Sequence, residues 1–287
     1  MKQKENNMSV RIVIDSTADL PAGEAAKFDI VPLTIHFGEQ EYIDGVTITH
    51  REFYEKLIES DVLPTTSQAT PAAFDRVLRP MVEAGDTAVV ITVSSKLSGT
   101  CQSACIAAAE YPGKVFVVDS NSVALGAGIL AQLGLRLAQQ GMSAADIALR
   151  LMEERENVRL IALLDTLEYL KRGGRISKTV AFAGGLLNIK PVICIREGAI
   201  EVLGKARGSK QGNNLLVKEI EQAGGVNFAK PLMLGYTGIS DALLRKYIQD
   251  SAELWEENVD HLPQTVIGSV VGTHAGPGAV AVAFFAK

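Results

Sequence analysis

The sequence predicts an α/β protein with parallel strands layered between helices. Short β-branched runs alternate with amphipathic helical patterns, and the runs at 88–93 and 115–118 are continuously apolar with no period of two, as strands covered on both faces are. At 287 residues the chain is about twice the commonest length of a single domain, so one large domain or two lobes fit and a small stapled fold does not.

In chain order, Ile12, Val13 and Ile14 mark a first strand and 30–37 a second. A helix over 50–59 follows, its start fixed by a capping box in which Thr49 and Glu52 exchange bonds. Thr70-Pro71 starts the next helix and Gly85 stops it, with Pro80 expected to kink or shorten it. The runs at 88–93 and 115–118 read as central strands. Ser143 caps a helix reaching about Glu154, and 160–164 opens another buried strand. These features divide the chain into lobes at 8–157 and 158–287, behind a disordered tail at 1–7. Further strands are expected at 192–196, 201–206, 232–236, 266–271 and 280–285, with helices at 210–222 and 240–255. No repeat or long linker intervenes, so the lobes should pack directly together.

Composition narrows the function. Hydrophobic residues at 47% and charged residues at 21%, against an average of roughly 25%, exclude general disorder. Lys and Arg total 28 against 33 Asp and Glu, a net charge of -5, so no global field draws nucleic acid. Cys101, Cys105 and Cys194 cannot all pair within one chain and no signal peptide precedes Met8, which makes a reducing cytoplasm the economical reading. Arg136, Asp146, Arg159 and Asp165 interrupt the longest aliphatic region, so no membrane span is expected.

Most familiar chemistries fail on spacing. Gly126-Ala127-Gly128 lies seven residues past Asp119, too far for a dinucleotide turn, and reads as helix packing. The 198–205 segment has the wrong spacing for a P-loop and reads as a strand pair with Gly204 at a bend or bulge. His36, His50, His261 and His274 are scattered and no metal-ligand spacing occurs, so no metal is expected. A nucleophile elbow is absent. Cys101 and Cys105 would share a helix face as packing residues.

The informative segments are hydroxyl-rich and sit at strand ends, where open α/β sheets bind ligands. Thr65-Thr66-Ser67-Gln68 precedes one helix start, and Ser94-Ser95-Lys96-Leu97-Ser98-Gly99-Thr100 leads into another. Helix-start amides with neutral hydroxyls suit a carboxylate or a phosphate, although Thr70 and Ser98 could be ordinary caps. Gly272-Thr273-His274-Ala275-Gly276-Pro277-Gly278 places one His in a Gly-rich turn between strands, open to ligand contact. Lys171-Arg172-Gly173-Gly174-Arg175-Ile176-Ser177-Lys178 concentrates cations after a short helix, as solvated helix-end charges or as a docking patch for an acidic partner.

Taken in order, these motifs, with Ile14-Asp15-Ser16-Thr17-Ala18-Asp19-Leu20 and Asp119-Ser120, resemble the DegV family, including the fatty-acid-binding subunits of the bacterial fatty acid kinase. The resemblance spans nearly the whole chain. It implies a two-lobed fold, mainly parallel in the first sheet and mixed in the second, with a long-chain fatty acid in a tunnel between them. By the same resemblance, Thr66 and Ser94, with Ser95 beside them, and His274 hold the carboxylate. Arg175, with Arg172, engages an ATP-dependent kinase subunit that makes acyl phosphate for phospholipid metabolism. The chain would then be a cytoplasmic carrier, with no catalytic residue, no cofactor beyond its lipid, and at most transient membrane contact. Its head site would need no Lys or Arg. Ala69 departs from the Pro that many relatives carry there, which alters loop stiffness. The competing readings are an α/β hydrolase or phosphotransferase using Ser94, His274 and Asp119 or Asp15, and a regulatory module that reports lipid supply through the Arg172 and Arg175 patch.

Overall fold

A computed structural model describes residues 9–176 and 189–287. The expected tail at 1–7, and Ser177 and Lys178 of the cation segment, lie outside the described residues. Strand β1 (Val10–Asp15) is followed by β2 (Asp29–Val31), β3 (Thr34–Phe37), β4 (Gln40–Ile43) and β5 (Thr65–Ser67), then β6 (Thr87–Thr92) and β7 (Val115–Asp119). Strands β2, β1, β6 and β7 form, in that order, a four-stranded sheet with parallel pairings throughout. The order β4-β3-β5 is a small antiparallel sheet that the sequence did not announce. The expected strand at 30–37 is therefore two strands in two sheets. Pro32 has no N–H to give a ladder, and the chain changes sheet there.

The remaining strands are β8 (Val158–Leu163), β9 (Ile189–Arg196), β10 (Ala199–Arg207), β11 (Met233–Tyr236), β12 (Gln264–Val266) and β13 (Val280–Phe285). They form a six-stranded mixed sheet in the order β10-β9-β8-β13-β11-β12, parallel only between β11 and β12. A bulge between Val202 and Gly204 accounts for that glycine.

One core ties the two large sheets together. Ile12 and Ile91 of the parallel sheet, Leu160 and Ala283 of the mixed sheet, and Leu125 and Ile129 of the helix Ala124–Gln139 belong to a single buried cluster. Full burial contributes on the order of 1.5–3 kcal/mol for each large aliphatic side chain, so Leu125→Ala would open a costly cavity. Gly126 and Gly128 sit in this helix because a methyl there would strike the Ser122 hydroxyl and the main-chain carbonyl of Asp19. Their fingerprint is packing.

Local signals translate well. Thr49 accepts from the Glu52 amide at 3.2 Å while Glu52 accepts from the Thr49 amide at 2.8 Å. Thr70 and Ser143 cap their helices, and Gly85 stops its helix with φ 94°. Pro80 does not shorten the helix, which runs Pro71–Glu83. Strand β7 is an edge strand, not a central one; its apolar run is explained by cover from the helices Thr100–Ala108 and Ala144–Glu154. The expected helix at 240–255 breaks after Asp250, where the Ser251 hydroxyl donates to the Tyr247 carbonyl at 2.6 Å and accepts from the Trp255 indole. The expected strand at 266–271 ends at Val266, and Ser269–Ala275 is helical. A short apolar run carries no period that separates these outcomes; the Gly268 amide, donating to Asp19 at 2.7 Å, fixes the helix start.

Candidate functional site

Strands β1 and β6 deliver their C-terminal ends to one place. Asp15, fully buried, accepts from the Val93 amide at 2.6 Å and from the Thr17 amide and hydroxyl at 2.9 and 2.6 Å. Burial raises its carboxyl above the ordinary value while these donors oppose the rise. Thr17 and Val93 line a cavity of about 380 Å³ whose walls come from the loops that follow the parallel strands, from the small sheet and from the mixed sheet.

The polar groups of this cavity are knit to one another. Thr66 Oγ1 lies 2.9 Å from Nε2 of His274, which is on the last turn of the helix Ser269–Ala275 and not in the Gly-rich turn expected from sequence. Nδ1 of His274 is buried and has no partner among the described residues; it lies against Gly173, where a methyl would collide with it. A buried bare lone pair is tolerated better than an orphaned N–H, so the ring carries its proton on Nε2 and donates to Thr66. The Thr66 hydroxyl proton is then available to a guest. Burial first, and the charge of Arg175 second, push His274 down to about 4, which keeps the ring neutral. Gln68 straps the Thr66 segment to the neighbouring helix start, donating to Ser103 Oγ at 2.9 Å, and Gly99 makes room for its side chain.

The structure brings Thr66 and His274 together and does not bring Ser94 or Ser95 to the cavity wall. Ser94 is buried and donates to the Gly198 carbonyl at 2.7 Å, latching the turn between β9 and β10 onto the end of β6. Ser95 is exposed, with its amide on Asp119. Ser98, four residues past Ser94, lines the cavity instead, and so does Arg175, whose guanidinium donates to the carbonyls of Leu97 and Gly173 at 3.2 and 2.7 Å. A cation therefore stands in the wall where the sequence reading expected none to be needed. Arg172 is exposed. The nucleophile and base of the hydrolase alternative are not paired: Ser94 is spent on Gly198, His274 on Thr66, and Asp15 on Thr17 and Val93. Sequence reasoning missed Ser98 and Gln68 as wall residues, although both lie in the segments that it singled out.

Away from the polar groups the cavity is aliphatic, with Leu33, Val123, Leu160, Ala162, Ile193 and Ile200 among its walls. Among the described residues no helix is long and apolar enough to cross a membrane, and no cluster of His, Cys, Asp or Glu is placed to hold a metal.

The model of the DegV family, described as one of uncharacterised proteins, matches residues 9–287. The chain belongs to the DegV family. A DegV domain-containing protein of Caldanaerobacter subterraneus is 35% identical over 282 residues, covering 97% of this chain and 99% of its own. Among solved DegV structures, a Thermus thermophilus protein described by its fatty acid binding is 33% identical, with a TM-score of 0.86 over 98% of this chain and 100% of that one. DegV of Bacillus subtilis, described as a fatty acid binding protein, is 28% identical with a TM-score of 0.81, again over 98% and 100%. The α/β architecture of one parallel and one mixed sheet is thus the DegV architecture.

Proposed function

We propose that this DegV protein buries a long-chain fatty acid between lobes at 8–157 and 158–287 and presents the carboxylate to a separate ATP-dependent kinase subunit, which converts it to acyl phosphate. The observation that carries the reading is the Thr66–His274 pair, with Ser98 and Arg175 near it, at the polar end of a largely aliphatic cavity of about 380 Å³. Solved relatives described as fatty acid binding support it. Roughly fifteen methylenes at about 0.8 kcal/mol each give on the order of 12 kcal/mol before association costs, so the tail can supply most of the affinity. The head sets orientation. A carboxylate in an apolar cavity needs donors, which Thr66, Ser98 and the Arg175 charge would offer, while Ser94 acts from behind the wall as a latch. An ATP-using partner implies the cytoplasm, a compartment that suits the three free cysteines.

Mass spectrometry of the organic extract of the denatured, purified protein tests the lipid part: a stoichiometric long-chain acid is expected. Transfer of the terminal phosphate of ATP to that acid by an added kinase subunit, with none by this chain alone, tests the rest. Hydrolysis of an acyl ester by the chain alone would overturn the carrier reading.

A further inference from the structure

We propose that the acyl cavity continues through a fork between β8 and β9 into a polar cleft beyond the mixed sheet, so that the site takes acyl chains whose distal end, bare or hydroxylated, crosses the fork. The inference rests on the cavity being an acyl site. The ladder between these strands runs through Ile161–Cys194, Ala162–Ile193 and Leu163–Val192, is continued by the Leu164 amide donating to the Pro191 carbonyl at 2.9 Å, and stops at Ile161–Cys194 on the other side. Before Ile161, β8 stays paired with β13, through Leu160–Ala283 and Arg159–Phe284. Beyond Cys194, β9 stays paired with β10, through Ile195–Ile200 and Arg196–Ala199. Each strand keeps its outer partner while the inner ladder ends, and the sheet opens between them.

Leu160, Cys194 and Ile195 at this opening wall the aliphatic cavity and also a second cleft, of about 500 Å³. That cleft reaches Glu219 and Gln222 of the helix Gly208–Gln222, whose buried face packs in the cluster holding Ile161 and Leu163, the face of the sheet turned away from the acyl cavity. Its walls mix apolar side chains with polar ones, among them Asn121, Arg155, Arg159, Arg196 and the carboxylates of Glu156 and Glu197. The described bonds of the Arg159 guanidinium go to the main-chain carbonyls of Glu156 and Val158, at 2.7 and 3.0 Å. A chain end that stops short of the fork lies among aliphatic walls such as Val123, Ala162 and Ile193, where a hydroxyl has no partner. One that passes it meets water and guanidinium donors.

The test compares bare and terminally hydroxylated acids as displacers of a fluorescent fatty acid from the delipidated full-length protein. A terminal hydroxyl is expected to weaken myristic acid by about tenfold or more and arachidic acid by less than about twofold. Ile195→Trp, which fills the fork, is expected to lower the affinity for behenic acid relative to myristic acid by about tenfold. An equal hydroxyl penalty at both lengths, or an unchanged behenic-to-myristic ratio in a folded variant, overturns the fork. Should Ile195→Trp fail to fold, the hydroxyl comparison on the unaltered protein still decides. Failure of the unaltered protein to bind any bare acid overturns the acyl site itself, and the fork with it.

Discussion

Thr66 and His274 lie 208 positions apart in the chain, and their side chains meet at 2.9 Å. One arrives on a short edge strand and the other at the end of a seven-residue helix that Asp19 anchors through the Gly268 amide. The neutral ring supports the hydroxyl, and Thr66 lines the cavity. Thr66→Val keeps the shape, orphans the Nε2 proton and deletes the donor, a loss on the order of 1–3 kcal/mol, or about five- to 150-fold in Kd. Thr66→Ser should retain most of the affinity. Displacement titration with a fluorescent fatty acid reads both, and an unchanged Kd for Thr66→Val would remove the head-group assignment.

The same ring gives stability a pH dependence of defined sign. Its folded value, about 4, lies below the ordinary 6.5, so between these limits the unfolded chain takes up a proton that the folded one refuses. The contribution is whole above 6.5 and is lost as pH falls toward 4, up to on the order of 3 kcal/mol. Asp15 and Asp19, raised by burial, act oppositely: their folded carboxyls take up protons above 3.8 and gain stability as pH falls. Only a difference measurement isolates the imidazole. Urea unfolding of the parent and of His274→Gln across this range should show the parent losing stability more steeply; parallel curves would mean that His274 titrates normally.

Gly173 owes its identity to that ring and not to its backbone. Its φ of -69° suits any residue, yet a methyl there overlaps Nδ1 of His274. Gly173→Ala should cost about 1–3 kcal/mol and weaken acyl binding by displacing the imidazole. Combining it with His274→Ala should cost less than the sum, since the second change removes the obstacle. Urea midpoints of the two singles and the double decide, and strict additivity would place the cost elsewhere.

What the sequence made legible was local. The Thr49 box, the Thr70 and Ser143 caps and the Gly85 stop involve partners within a few residues, and the apolar runs of β1 and β6 declare burial by composition alone. What it hid depends on distant partners. Ser94 looks like a ligand residue until Gly198, 104 positions away, claims its hydroxyl. Ser98 was equally visible in the same motif, but only the fold puts it on the cavity wall. The helix at Ser269–Ala275 shares its apolar run with a strand pattern, and Asp19, which fixes its start, is 249 residues upstream of Gly268.

Arg172 and Arg175 were paired by sequence as one docking patch, and the structure separates them. Arg172 ends the short helix Glu168–Arg172 and is exposed, whereas Arg175 is half-buried in the cavity wall on the carbonyls of Leu97 and Gly173. An exposed cation governs encounter with a charged partner and contributes little to an interior ligand, while one beside the head both attracts the carboxylate and holds two loop carbonyls. Arg172→Ala should therefore leave the fatty acid Kd within about twofold and slow the coupled kinase reaction, most at low salt. Arg175→Ala should weaken acyl binding by about tenfold as well as slowing the coupled reaction. Titrations of fatty acid binding beside acyl phosphate formation at two ionic strengths separate the roles. Loss of the lipid in Arg172→Ala, or full retention of it in Arg175→Ala, would return both residues to a single surface function.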